Sequence, residues 1–225
     1  MRSTVLYVGI PWLCIAGTAL WGFTQRACFP WNERAGAHGN LYCPGDHYVV
    51  QTISEMVARS STTAELFCSA AALSLVGMWL ALRDILRSRS PWVRDGVHAS
   101  FAVGAVGYVG LTVWSLRVSG PIHTGFTAQT LSMMLLMCVI LSRTTLSRVL
   151  CALQMVALVL YVYLYASIPD HDWSKGEVGY HAPANFKHAW AQYAFVTLHY
   201  LTMATLHTES THATLQIHHN AQWRH

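Results

Sequence analysis

Thirteen histidines in a chain of 225 residues invite a search for metal or acid–base chemistry, and their spacing answers it. Zinc held on a helix calls for two imidazoles at i and i+4 with a carboxylate close by. His207 and His212 stand at i and i+5, His218, His219 and His225 follow in a polar tail, and His38, His47, His171, His181 and His188 are scattered among polar residues. No metal set and no cofactor is expected from this pattern. The chain has no GxSxG elbow, no phosphate loop, no dinucleotide fingerprint and no Ser/His/Asp spacing, so no catalytic residue is assigned and a non-enzymatic role is expected. Asp170-His171-Asp172 after Pro169 reads as ordinary loop chemistry. What remains are polar groups at the mouths of apolar runs or inside them. Glu65 opens one run and His123 another; they either meet at an outer rim or sit there wet and unpaired. Gln192 and His199, with Thr197 and Thr202, lie within the last run, which makes it the one to line a cavity.

The elements that must position these groups are six apolar stretches, at about Val5–Phe23, Ala64–Leu82, Val97–Leu116, Thr124–Leu141, Val149–Ile168 and Trp190–Leu206. About 20 residues of helix, rising about 1.5 Å each, cross the hydrocarbon core. Apolar residues are 53% of the chain and charged ones 11%, against about 25% charged in a globular protein, so much of the surface faces lipid. The expected fold is an all-α, polytopic membrane bundle of six transmembrane helices, a single domain over residues 1–225 with no separate soluble unit. The first run is long for a leader and lacks a small-residue cleavage site, so it reads as a retained anchor.

Arg83, Arg87, Arg89 and Arg94 crowd the second connection, and Arg143 and Arg148 the fourth. Short basic loops stay cytosolic, which puts both termini in the cytosol and the segments Thr24–Thr63, Arg117–His123 and Pro169–Ala189 outside. The same four arginines of the second connection form an anionic-lipid surface on one reading and only the orientation signal on the other. Cys28 and Cys43 share the first outer segment; a disulfide closing it is one reading and two separate thiols the other. Gly104, Gly107 and Gly110 let a neighbouring backbone approach the third span closely, so that span is expected inside the bundle.

Ile53-Ser54-Glu55, Glu65-Leu66-Phe67 opening the second span, the basic turn after it, Gly107, His123-Thr124 and an aromatic-rich last span occur in this order. This pattern resembles the damage-regulated autophagy modulator (DRAM) family, a six-span group that includes the Golgi factor for GPI-anchor lipid remodelling and the Sfk-type proteins. Ala64 departs from the family's usual Pro, and Gln192-Tyr193 from an acidic–aromatic pair. The resemblance implies a protein of Golgi, endolysosomal or plasma membranes that modulates membrane lipids, trafficking or autophagy, or scaffolds membrane partners. A GPI or phospholipid remodelling enzyme or cofactor, with Glu65, His123 and His199 in its cavity, is one alternative. An accessory subunit of a larger assembly, in an organellar inner membrane for instance, is another. Membrane lipids are the expected partners, other membrane proteins the further candidates, and nothing calls for nucleic acid.

Overall fold

A computed structural model describes residues 2–24, 29–30, 41–42, 53, 61–113, 120–167 and 187–222. Six helical rods carry almost all of them. Arg2–Thr4, a π-helical stretch Val5–Gly9 and Ile10–Thr24 run on from one another as α1. Then come α2 (Ser61–Leu86), α3 (Pro91–Val113), α4 (Gly120–Leu141), α5 (Thr145–Ala166) and α6 (Lys187–Gln222). Between α1 and α2, β1 (Phe29–Pro30) and β2 (Leu41–Tyr42) pair antiparallel, Phe29 opposite Tyr42 and Pro30 opposite Leu41.

Among the described residues, five stretches are long and apolar enough to cross a bilayer: Arg2–Trp21, Thr62–Leu86, Pro91–Val113, Ile122–Leu141 and Thr145–Ala166. Large apolar side chains such as Leu13, Leu20, Val106 and Val159 are exposed around the bundle, a surface that needs hydrocarbon rather than water as its solvent. The chain is an integral membrane protein. Hydroxyls within the rods turn back on their own backbone, as Thr18 does to Cys14 O at 2.8 Å and Thr202 to Leu198 O at 2.7 Å, which removes an unpaired donor from an apolar setting.

Sequence chemistry explains the local departures from ideal helix. Pro11 has no N–H, and its ring crowds the carbonyl four residues back, that of Tyr7. The turn over Val5–Gly9 widens to a π-helix there, and the Tyr7 carbonyl turns to α2, where Gly77 receives it. A Cβ on Gly77 would lie 2.3 Å from Tyr7 O and 2.8 Å from Pro11 Cγ. Pro91 opens α3 at the first helical position, where its missing N–H leaves no bond unmade. Thr144 caps α5 by a reciprocal box, accepting from Ser147 N at 3.2 Å while Thr144 N donates to Ser147 Oγ at 3.1 Å.

The glycine stripe of α3 faces α4. A Cβ on Gly104 would come 3.1 Å from Met133 Cβ, on Gly107 2.7 Å from Thr130 Oγ1, and on Gly110 2.5 Å from the Phe126 ring. Gln129 Nε2 donates to Val103 O at 2.7 Å across the same seam. The expectation that this span sits inside the bundle is corrected: its crossing segment is 28% buried against 44% for α2, because the face opposite the glycines carries exposed Val103, Val106, Val109 and Val113. The enclosed rod is α6, whose Ala189, Phe195, His199, Met203, Leu206 and His207 are shut away from solvent and lipid. Its Gln192, Thr197, His199 and Thr202 lower its hydropathy below that of the other five.

Candidate functional site

The polar residues of α6 converge on two places. At mid-depth, α1, α2, α3, α4 and α6 enclose a cavity of about 90 Å³, large enough for a small polar group or a few waters. Apolar side chains make most of its wall, among them Phe67, Met78, Phe101 and Met134. Its polar groups come from four helices: Ser74 on α2, Tyr108 on α3, Thr127 and Thr130 on α4, and Gln192, His199 and Tyr200 on α6. The Ser74 and Tyr200 hydroxyls hydrogen-bond to each other and Tyr108 joins them. Thr127 and Thr130 donate to His123 O at 2.9 Å and Phe126 O at 2.8 Å. The Ile53 backbone N–H donates to Gln192 Oε1 at 2.9 Å, so this outer residue is drawn between α1, α2 and α6, against Ile15, Phe67 and Ala70.

His199 is 1% exposed. Its Nδ1 lies 3.4 Å from Cys138 Sγ on α4 and 3.4 Å from Gln154 Nε2 on α5. An amide NH₂ only donates and a thiol carries its proton here as a donor, so Nδ1 is the acceptor and the neutral ring bears its hydrogen on Nε2. Among the described residues that Nε2 has no hydrogen-bond partner, and neither has Gln154 Oε1.

A second hollow of about 340 Å³ lies between α1 and α6. Ala16 and Ala19, one helical turn apart, leave the space; Trp12 and Leu20 on α1 and Trp190, Tyr193 and Thr197 on α6 frame it. It shares Ile15, Ile53 and Val196 with the central cavity. Those three side chains are therefore the partition between an apolar flank and the polar interior.

The other polar centre stands at the end of the bundle that holds the basic connections. His207, 0% exposed, has Thr4 Oγ1 at 2.9 Å from Nδ1 and Asp84 Oδ2 at 3.4 Å from Nε2, with the Tyr7 ring edge-on at 5.8 Å. A carboxylate accepts only, so Nε2–H donates to Asp84, and Nδ1 pairs with the Thr4 hydroxyl. In outline this is a hydroxyl, imidazole and carboxylate relay. The imidazole is wholly enclosed, so the array works as a pin joining α1, α2 and α6. Ser210 Oγ adds a bond to Asp84 O at 3.2 Å, and Thr144 Oγ1 donates to Glu209 Oε1 at 2.6 Å.

Of the residues singled out in the sequence, Gln192 and His199 line the central cavity. His123 is buried on α4 and Glu65 is exposed on α2, its backbone carbonyl accepting from Ser69 Oγ. Cys28 and Cys43 lie outside the described residues. Arg83 and Arg87, with side chains 54% and 65% exposed, stand 3.8 and 3.3 Å from the Asp84 carboxylate. Arg89 turns inward and donates to Leu141 O at 3.2 Å, capping the last turn of α4. Burial, and next the nearby Arg143, pull its guanidinium below its ordinary pKa while Glu209 opposes them. Arg94 is exposed. Ser74, Tyr108, Gln154, Thr4 and Asp84 were not among the expected site residues. His207 was, by its place in the tail, set aside, although His188, Gln192, Phe195, His199, Met203 and Leu206 advance by threes and fours up to it and that helical period was the available signal. No family model, no curated protein and no solved structure matches this chain.

Proposed function

We propose that the protein is a six-crossing bundle with both termini in the cytosol that holds a membrane lipid between α1 and α6 and acts on lipid composition or trafficking, without turning the lipid over. One observation carries the reading: the hollow of about 340 Å³ between α1 and α6 adjoins the central cavity across only Ile15, Ile53 and Val196. An apolar flank next to a mostly apolar interior that also offers a few polar groups, Ser74, Tyr108, Gln192 and His199 among them, suits an amphiphile, whose tail and head need different surroundings. The resemblance to the DRAM family points the same way and favours Golgi, endolysosomal or plasma membranes.

The test is lipid retention. Protein purified in mild detergent is expected to carry lipid detectable by native mass spectrometry, and Ala16→Trp, which fills the hollow, to lose at least about four-fifths of it, the size of loss that one displaced side-chain-sized contact area brings. Equal retention by the wild type and the filled variant, with both folded, would remove the basis of the reading.

A further inference from the structure

We infer that the central cavity seats an uncharged oxygen headgroup, an alcohol or carbonyl whose oxygen accepts the proton on His199 Nε2, while the body of the lipid lies in the α1–α6 hollow. This rests on the lipid-holding reading above and names the chemistry of the ligand.

Three observations lead there. First, His199 is 1% exposed, and its Nε2 has no partner among the described residues. Nδ1 is held by Cys138 and Gln154, neither of which lines the cavity, while the His199 ring does line it. A buried N–H without an acceptor is costly, and an incoming oxygen removes that cost. Second, the described residues lining the cavity include no Asp, Glu, Lys or Arg. A phosphate or carboxylate would be buried there with no counter-charge, whereas a neutral oxygen meets one donor. Third, most of the other polar groups are already engaged: Thr127 and Thr130 donate to their own helix, Gln192 Oε1 accepts from Ile53, and Ser74, Tyr108 and Tyr200 bond one another. Among the described residues lining the cavity, His199 Nε2 is the fully buried polar side-chain atom without a hydrogen-bond partner.

The experiment uses the full chain in phosphatidylcholine nanodiscs and two photoreactive probes of equal length, hexadecanol and palmitic acid, each with a diazirine in its tail. At neutral pH the alcohol is expected to label α1 and α6 peptides and the carboxylate to label them no better than background. His199→Leu should weaken the alcohol about tenfold, the usual worth of one well-buried hydrogen bond, and His199→Gln, which keeps a donor, should recover most of that. Competition by unlabelled cholesterol against unlabelled diacylglycerol distinguishes a sterol hydroxyl from a glyceride one. Labelling of α1 and α6 by both probes alike, unchanged in His199→Leu, would overturn the headgroup assignment and leave the lipid-holding reading standing. Labelling by neither probe would overturn both. Should the variants fail to fold, ¹⁵N-histidine spectra of the wild type decide: hexadecanol is expected to shift one imidazole Nε2–H resonance, and no shift means that the cavity admits no such ligand.

Discussion

His207 joins three helices through one ring, and its removal should be felt accordingly. His207→Leu keeps the volume but takes one hydrogen bond from Thr4, which keeps Thr208 at 3.4 Å, and one from Asp84 Oδ2, while Arg83 and Arg87 stay at Asp84 Oδ1. The expected loss is about 2 kcal/mol, for one hydrogen bond to a charged group and one neutral bond, against about 1 kcal/mol for Thr4→Val, which removes the neutral one. Denaturant unfolding of purified protein reads both, and a His207→Leu loss no greater than that of Thr4→Val would mean the ring contributes packing alone. Gly77 makes the second residue-scale claim. The Tyr7 carbonyl sits where a methyl would go, 2.3 Å from an ideal Cβ, and backbone cannot step aside as a flexible side chain does. Gly77→Ala is therefore expected to lower stability by about 2–3 kcal/mol, at the upper part of the overpacking range. Gly17, which has open space around its ideal Cβ, should accept Ala with no loss, and the thermal midpoints of the two variants in the same detergent give the comparison.

At the scale of elements, five of the rods were legible in hydropathy because a lipid-facing helix must be apolar over about 20 residues, whatever else it does. Val149–Ile168 was expected where Thr145–Ala166 stands; the boundary moved because Thr144 and Ser147 build a cap that hydropathy does not register. The continuation of α6 to Gln222 was not legible, since a polar tail and a helix that buries one polar face have the same composition. The cavity was half legible: Gln192 and His199 stand out within an apolar run, while Ser74 and Tyr108 look like ordinary members of theirs, and Thr4 meets His207 across 203 residues of sequence. Two element-scale predictions follow from the physics of termini and ladders. Thr144→Ala removes both the cap of α5 and the hydroxyl held by Glu209, and should cost about 1–2 kcal/mol, with Ser147→Ala losing less because the Thr144 side chain still accepts from the 147 N–H. Cys28 precedes Phe29 and Cys43 follows Tyr42 in sequence, flanking a ladder in which Phe29 and Tyr42 are opposite. The two readings of this pair separate by mass spectrometry under non-reducing conditions, a linked peptide pair for the disulfide and two alkylated peptides for separate thiols.

For the whole molecule the arrangement of ends constrains the number of crossings. Thr4 near the start of α1, Asp84 at the end of α2 and His207 on α6 meet at one point, and the Arg89 side chain from the α2–α3 connection reaches Leu141 at the end of α4. One end of the bundle therefore gathers the chain start, both short basic connections and the latter part of α6. A chain that starts and finishes its membrane passage at the same end crosses an even number of times, and this parity supports the proposal that α6 crosses as well, despite a hydropathy below that of its neighbours. Its polar side chains are turned to the bundle interior, where Gln192 Oε1 accepts from Ile53 and His199 Nδ1 meets Cys138 and Gln154, and away from the hydrocarbon around the bundle. The proposed cytosolic placement of that end rests on the bias of positive charge carried by Arg83, Arg87, Arg94, Arg143 and Arg148. The sequence carries no Asn-X-Ser/Thr acceptor of its own, which makes glycosylation mapping clean. An acceptor inserted between residues 31 and 40, or between 171 and 181, should be glycosylated; one inserted at 87–90 or after residue 222 should not. Glycosylation after residue 222 together with none at 171–181 would mean that α6 crosses from the other side, and the Thr4, Asp84 and His207 pin would be incompatible with such a topology.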